Sequence, residues 1–195
     1  MKKVVHSRRL RLAALLAFCA TALALVAGTA SAKQILRESF HDEGTFVIED
    51  FCGVPGLTVE DMFVVDGSVR AVPHGPNGLP YLLEHVTTID VFTNVANGKA
   101  VTQVVKTTEK DLKVTDNGDG TLTILVLATG NAVLSGPDGK AIARDPGQIR
   151  GEILVDHGGT PTDPFDDEFI AFLGLVKGST GRSDDFCAAM VTALG

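Results

Sequence analysis

Several residue types and motifs that usually indicate a function are absent or scarce in this chain of 195 residues. There is no tryptophan, one tyrosine and only three cysteines. No H-x-H, HExxH or paired CxxC spacing supports a zinc site, and no G-x-S-x-G elbow supports nucleophilic hydrolysis. The glycine-rich loop and following helix of a dinucleotide site are also missing. We therefore expect no cofactor, and the motifs alone identify no reaction.

Acidic residues are absent from the first 32 positions, which hold five of the 17 basic residues. A basic start, an apolar run over about 12–27 and an Ala-Ser-Ala sequence at 30–32 are typical of a secretory signal peptide. Cleavage is predicted to remove residues 1–32 and to leave a single domain over 33–195 of a secreted, extracellular protein. A retained membrane anchor is the alternative. The run is near the lower limit for a membrane span, so no stable membrane insertion is expected after cleavage.

The chain has few basic residues once that segment is removed. It then carries 12 basic and 24 acidic residues. Nucleic acids and anionic membranes require Lys and Arg to neutralise phosphates, so an acidic surface argues against both as the main partner.

Cysteine is scarce, but two of the three cysteines remain after the predicted cleavage. Cys52 and Cys187 form an even pair in an exported chain, and oxidising compartments favour a disulfide between them. Chain-entropy models give roughly 4–5 kcal/mol for a loop of this length. Two buried free thiols are the alternative.

Long helical stripes are missing until the end of the chain, and period-two alternation bounded by turn residues predominates. The alternation predicts strands near 45–52, 57–66, 81–94, 99–108, 121–129, 132–135, 140–145 and 148–156. A further strand is favoured around 169–173, and Ser183 is predicted to cap a short helix over 184–194. About eight sequential antiparallel strands predict an all-β meander that closes into a barrel, with a two-sheet β-sandwich as the alternative.

The order of several features along the chain is typical of a known group of proteins. These features are a cysteine in the first strand, a strand end before a hairpin, a second hairpin rich in Asp and Gly, and a late cysteine at a terminal helix. The residues are Cys52, Thr93-Asn94, Asn97-Gly98-Lys99, Asp119-Gly120-Thr121 and Cys187. In this order the chain resembles a broad group of uncharacterised secreted bacterial β-barrel proteins, similar in shape to lipocalin-like and allene-oxide-cyclase-like barrels. The resemblance implies a fold and not an activity. The Gly-x-Trp signature of lipocalins is absent because there is no tryptophan.

Two ionisable residues fall in apolar registers of predicted strands. Asp61 alternates with Leu57, Val59, Phe63 and Val65, and His85 alternates with Leu83, Thr87, Ile89 and Val91. If both faces shared one interior, Asp61 and His85 could form a general base with shifted pKa values. The interpretation that the sequence favours is that both side chains are solvent-facing or have their hydrogen bonds satisfied locally. Four residues are candidates for lining a barrel interior, as ligand contacts or simple core: Phe63, His85, Ile89 and Val91.

Calcium is the one metal for which the sequence offers candidates, because exported acidic loops often bind it. The acidic cluster near Pro161 and Pro164 consists of Asp163, Asp166, Asp167 and Glu168. The alternative is a solvated loop, and no firm metal site is predicted.

Three classes of function are compatible with these patterns. The leading hypothesis is non-enzymatic binding of a small apolar ligand in the barrel interior. An isomerase-type or cyclase-type barrel enzyme using His85 and Asp61 is the second hypothesis. A structural or interaction protein of the cell exterior is the third.

Overall fold

A computed structural model describes residues 36–195, which form seven strands and one short helix. The elements are β1 (Leu36–Ile48), β2 (Val59–His74), β3 (Leu79–Asn94), β4 (Ala100–Asp116), β5 (Thr121–Ser135), β6 (Ala141–Asp156), β7 (Glu168–Lys177) and α1 (Phe186–Leu194). The all-β class and the short C-terminal helix are confirmed. The predicted signal peptide, residues 1–32, lies outside the described residues, so its cleavage stays a prediction.

All seven strands belong to one sheet, in which each strand pairs antiparallel with its predecessor in the order β1 to β7. The predicted antiparallel meander is therefore confirmed, and the two-sheet sandwich is not formed. Within residues 36–195 no pairing joins β1 to β7, so these strands are the two edges of the sheet. Closure into a barrel is thus not part of the strand pairing.

Two continuous strands of the structure were each predicted as two short strands. The described residues therefore form seven strands instead of about eight. The predicted strands 121–129 and 132–135 are one continuous β5, and those at 140–145 and 148–156 are one β6. The apparent break in β6 contains Pro146. Proline is tolerated at a sheet edge, and β7 pairs with β6 only from Arg150 onwards, so Pro146 lies in the half of β6 that has no β7 partner.

Buried side chains identify one face of the sheet, here called the inner face. A first apolar cluster on this face includes side chains from β2 to β6 and packs against Met190 and Leu194 of α1. Its sheet members are Val59, Phe92, Val101, Leu134 and Ala143. A second cluster lies at the opposite end of the central strands and consists of Val114, Leu122, Ile124 and Val155. The inner face therefore has an apolar core at each end of β4, β5 and β6.

A disulfide links Cys52 to Cys187 and confirms the predicted pairing. Cys52 lies in a short 3-10 turn (Phe51–Gly53) directly after β1, and Cys187 is the second residue of α1. The helix is capped by Asp185 instead of the predicted Ser183, because the Asp185 carboxylate accepts a hydrogen bond from the Ala188 N–H. The disulfide thus fixes α1 over the first cluster.

Asn94, at the end of β3, holds the other end of the helix. Its buried side chain donates to the Leu194 carbonyl oxygen at 3.0 Å and accepts from the Ala96 N–H at 2.8 Å. Asn97 donates to the same carbonyl at 2.8 Å. The last carbonyls of a helix have no partner within the helix, so these amides supply the bonds that the helix end needs.

We expect Asn94→Ala to lower the free energy of unfolding by about 1–3 kcal/mol, because it leaves buried polar groups of the hairpin and helix end without their partner. Urea unfolding followed by circular dichroism measures this loss. Asn117→Ala is the control, since Asn117 makes its hydrogen bonds in an exposed hairpin turn. Equal losses in the two variants would contradict the assigned role of Asn94.

Candidate functional site

The middle of the inner face contains a cavity because small residues replace bulky ones there. Ala128, Gly130 and Ala132 are successive inner-face residues of β5, and Gly147 of β6 lies directly opposite Gly130. This cavity is a shallow depression of about 290 Å³, largely open to solvent, between the two apolar clusters. Its lining on the inner face of β4, β5 and β6 consists of Val105, Thr107, Ala128, Gly130, Ala132, Asp145, Gly147 and Ile149.

The segment between β7 and α1 forms one wall of this cavity, through Ser179 and Ser183. It is attached to β6 by two hydrogen bonds: the Asp184 N–H donates to the Arg144 carbonyl, and the Arg144 N–H donates to the Asp184 carboxylate at 2.9 Å. A hydrogen bond from Arg182 holds the pKa of Asp184 below its ordinary value. The wall is therefore fixed against the unpaired half of β6.

Acidic side chains border the cavity on the same face. Glu109 lies opposite Ala128 on one side and opposite Glu84 on the other. Burial raises the pKa of both glutamates, and the charge of Glu109 raises that of Glu84 further. Because Asp145 also lines the cavity, carboxylates lie on two of its sides. This arrangement is unfavourable for an anionic ligand.

Asp111 of β4 is a further acidic side chain on the inner face, where it lies opposite Val126 just before a β-bulge. The bulge lies between Asp111 and Lys113, and the Asp111 carboxylate accepts a hydrogen bond from the Leu82 N–H at 2.7 Å. Burial raises the pKa of Asp111 to about 6, against the lowering effect of that hydrogen bond. Asp111 is therefore a buried acid held by the backbone of β3.

The structure separates the two residues of the predicted general base. Asp61 is fully buried on the inner face, opposite Phe92 of β3. Directly paired residues of an antiparallel sheet point to the same face, so the even-numbered residues of β3 face inward and His85 faces outward. His85 is exposed, and its Nδ1 lies 2.8 Å from the Thr108 hydroxyl. The hypothetical Asp61–His85 pair is therefore not formed, and His85 faces solvent, in agreement with the interpretation favoured from the sequence.

The four candidates for lining a barrel interior lie on two different faces of the sheet. Phe63 lies on the inner face, opposite Asp90, as expected from its register. Ile89 and Val91 share the outer face with His85, so these three residues do not line the inner face. The apolar alternation of β3 is misleading because its inner face carries Glu84, Asp90 and Asn94. Buried hydrogen bonds, such as those of Asn94, allow polar residues there.

The calcium candidates lie in and after a loop that is organised by its own hydrogen bonds. Asp163 accepts from the Phe165 N–H, and Asp166 accepts from the Thr160 hydroxyl. Burial, followed by the charge of Asp166, raises the pKa of Asp167 to about 6. Glu168 is the exposed first residue of β7. Over residues 36–195, no group of three or more His, Cys, Asp or Glu side chains is placed to hold a metal ion.

The sequence reasoning missed the residues that form the cavity. Gly130 and Gly147 lie in the gaps between the short predicted strands, so the sequence pattern assigns them to neither face of the sheet. The available signal was the alternation of small residues at Ala128, Gly130 and Ala132, which leaves one face of a strand without bulk.

No family model, no curated protein and no solved structure matches this chain. In the described part of the chain, no helix is both long and apolar enough to cross a membrane. Fold and site together define an all-β protein with a single antiparallel sheet and a small cavity on its inner face.

Proposed function

We propose that this protein is an exported, non-enzymatic binding protein whose inner face holds a small, largely apolar ligand. The cavity of about 290 Å³ beside Ala128, Gly130 and Ala132 is the observation that supports this function. Its volume is at the lower end of the range for small-molecule sites, so the ligand is smaller than a typical drug. In this proposal the seven strands act as an open barrel, like the secreted barrels that the sequence resembles.

The acidic side chains beside the cavity restrict the charge that its ligand can carry. Glu109 and Asp145 beside the cavity disfavour anions, because a second negative charge in a partly buried site raises the electrostatic cost of binding. A neutral or basic molecule with an apolar body is therefore the proposed ligand class. The cyclase-type hypothesis depended on His85 and Asp61 facing each other, and their placement gives it no support.

The proposal is tested by filling the cavity with a larger side chain and measuring the binding of a probe. The probe is N-phenyl-1-naphthylamine, a small neutral molecule whose fluorescence reports binding. Ala132→Leu adds a branched side chain to the lining, and we expect it to weaken probe binding at least tenfold because the added volume occupies the site. The measurement is a fluorescence titration of the purified protein, with the thermal midpoint recorded for each variant.

Ala141→Leu is the matched control, since it makes the same substitution at an exposed position of β6 outside the cavity lining. It should bind the probe like the unmodified protein. Failure of the unmodified protein to bind the probe, or equal binding by Ala132→Leu, would count against an inner-face ligand site.

A further inference from the structure

β7 is an edge strand whose exposed side chains are unusually apolar. It pairs with β6 alone among the described strands. Six of its ten residues are large hydrophobic side chains that are between 44% and 59% exposed: Phe169, Ile170, Phe172, Leu173, Leu175 and Val176. An exposed apolar edge of this kind is a template for pairing with another chain.

The other edge of the sheet is protected. β1 has the sequence LRESFHDEGTFVI, in which five of 13 residues are ionisable. Charged side chains are a usual means of preventing an edge strand from pairing with another chain. The eight residues 169–176 of β7 contain no ionisable group. The difference between the edges indicates that β7, and not β1, is adapted to contact a partner.

The pairing of β7 with β6 contributes to this exposure. Three register shifts leave Ile170, Leu173 and Val176 without a partner residue on β6. Bulges often disrupt an edge, but here each extra residue is large and apolar. The bulges therefore present additional hydrophobic side chains at the edge instead of charge or proline.

The two charges of β7 make the strand complementary to itself. Glu168 is its first residue and Lys177 its last. If two copies align antiparallel about an axis between Phe172 and Leu173, Glu168 of each copy lies opposite Lys177 of the other. The apolar residues 169–176 then face each other. A two-fold interface requires this kind of self-complementarity.

We propose that β7 is the interface between two copies of this chain, with the two β7 strands antiparallel across a two-fold axis. Removal of the six exposed apolar side chains from water stabilises the contact, and the charge pairs at its two ends fix its register. This inference is independent of the proposed ligand site, since none of the cavity-lining residues belongs to β7.

Sedimentation equilibrium of the purified full chain tests the proposal, and we expect a dimer at micromolar concentration. Leu173→Lys places two like charges beside the axis and should weaken association at least 100-fold. Met62→Lys is the matched control, because Met62 on the outer face of β2 is 50% exposed and Leu173 is 51% exposed. It should leave the dimer intact. A monomeric unmodified protein would overturn the proposal, as would a dimer that persists in Leu173→Lys.

Charge reversal at the exposed ends of β7 tests the register of the two strands. Glu168→Lys and Lys177→Glu should each weaken association about three- to tenfold, since each creates two like-charge contacts per dimer. The double variant restores opposite charges and should recover most of the affinity. Additive weakening in the double variant would overturn the antiparallel arrangement.

A monomer that instead binds neutral phospholipid vesicles through β7 would assign the strand to a lipid surface and overturn the dimer.

Discussion

Replacing both cysteines of the Cys52–Cys187 disulfide with alanine is expected to lower the free energy of unfolding by roughly 4–5 kcal/mol. The two residues are separated by 135 positions, so the bond closes a loop that contains nearly the whole sheet. Without it the unfolded chain gains a large conformational entropy. The loss also releases α1 from the first apolar cluster, where Met190 and Leu194 are buried. Urea unfolding of the oxidised protein and of Cys52→Ala/Cys187→Ala measures the difference.

A second double variant separates the loss of the bond from a backbone effect. Cys52 has a φ of 54°, in the left-handed region that is costly for any residue with a side chain. Cys52→Gly/Cys187→Ala should therefore be about 1 kcal/mol more stable than the double alanine variant. If both variants unfold at the same urea concentration as the oxidised protein, the disulfide has no stabilising role.

The second large effect is the pH dependence caused by Asp111. Its folded-state pKa of about 6 lies above the ordinary value of 3.8 because burial disfavours the carboxylate. The folded state therefore binds the proton more tightly than the unfolded state. Stability from this group is fully present below pH 3.8 and is lost as the pH rises through 6. Asp111→Asn keeps an oxygen for the Leu82 N–H and removes the charge.

We expect the stability advantage of Asp111→Asn over the unmodified protein to grow by on the order of 2–3 kcal/mol between pH 4 and pH 7.5. Urea titrations across that range measure it. Asp138→Asn is the control with the opposite sign, because a backbone hydrogen bond from Lys140 lowers the pKa of exposed Asp138. A pH-independent difference for Asp111→Asn would show that Asp111 is not a buried acid.

Local chemistry in the sequence predicted much of the fold. Asn97-Gly98 predicted the turn between β3 and β4, and Gly98 has the positive φ of 71° that such a turn requires. The Cys52–Cys187 pairing was predicted because these two cysteines remain after the expected removal of a signal peptide. Pro146 and Gly147 could not be placed in a strand from sequence, because their tolerance depends on where β7 stops pairing with β6.

The candidate site was harder to predict, since it depends on which face of each strand is buried. Asp61 and Phe63 were placed on the correct face because their neighbours Val59 and Val65 are apolar. The face of β3 was assigned wrongly, because Leu83, Ile89 and Val91 are apolar and yet lie outside. The inward position of Asp90 and Asn94 depends on their pairing with Phe63 and Val59 in β2, which alternation within one strand does not report.

The strictly sequential pairing of the strands also has a kinetic consequence. Each strand from β2 to β7 pairs with the strand made just before it, so the sheet can assemble by local hairpin steps as the chain is produced. The bond between Cys52 and Cys187 forms later than these hairpins, since Cys187 follows Cys52 by 135 residues. The Cys52 thiol must therefore remain reduced until β2 to β7 and Cys187 have all been synthesised.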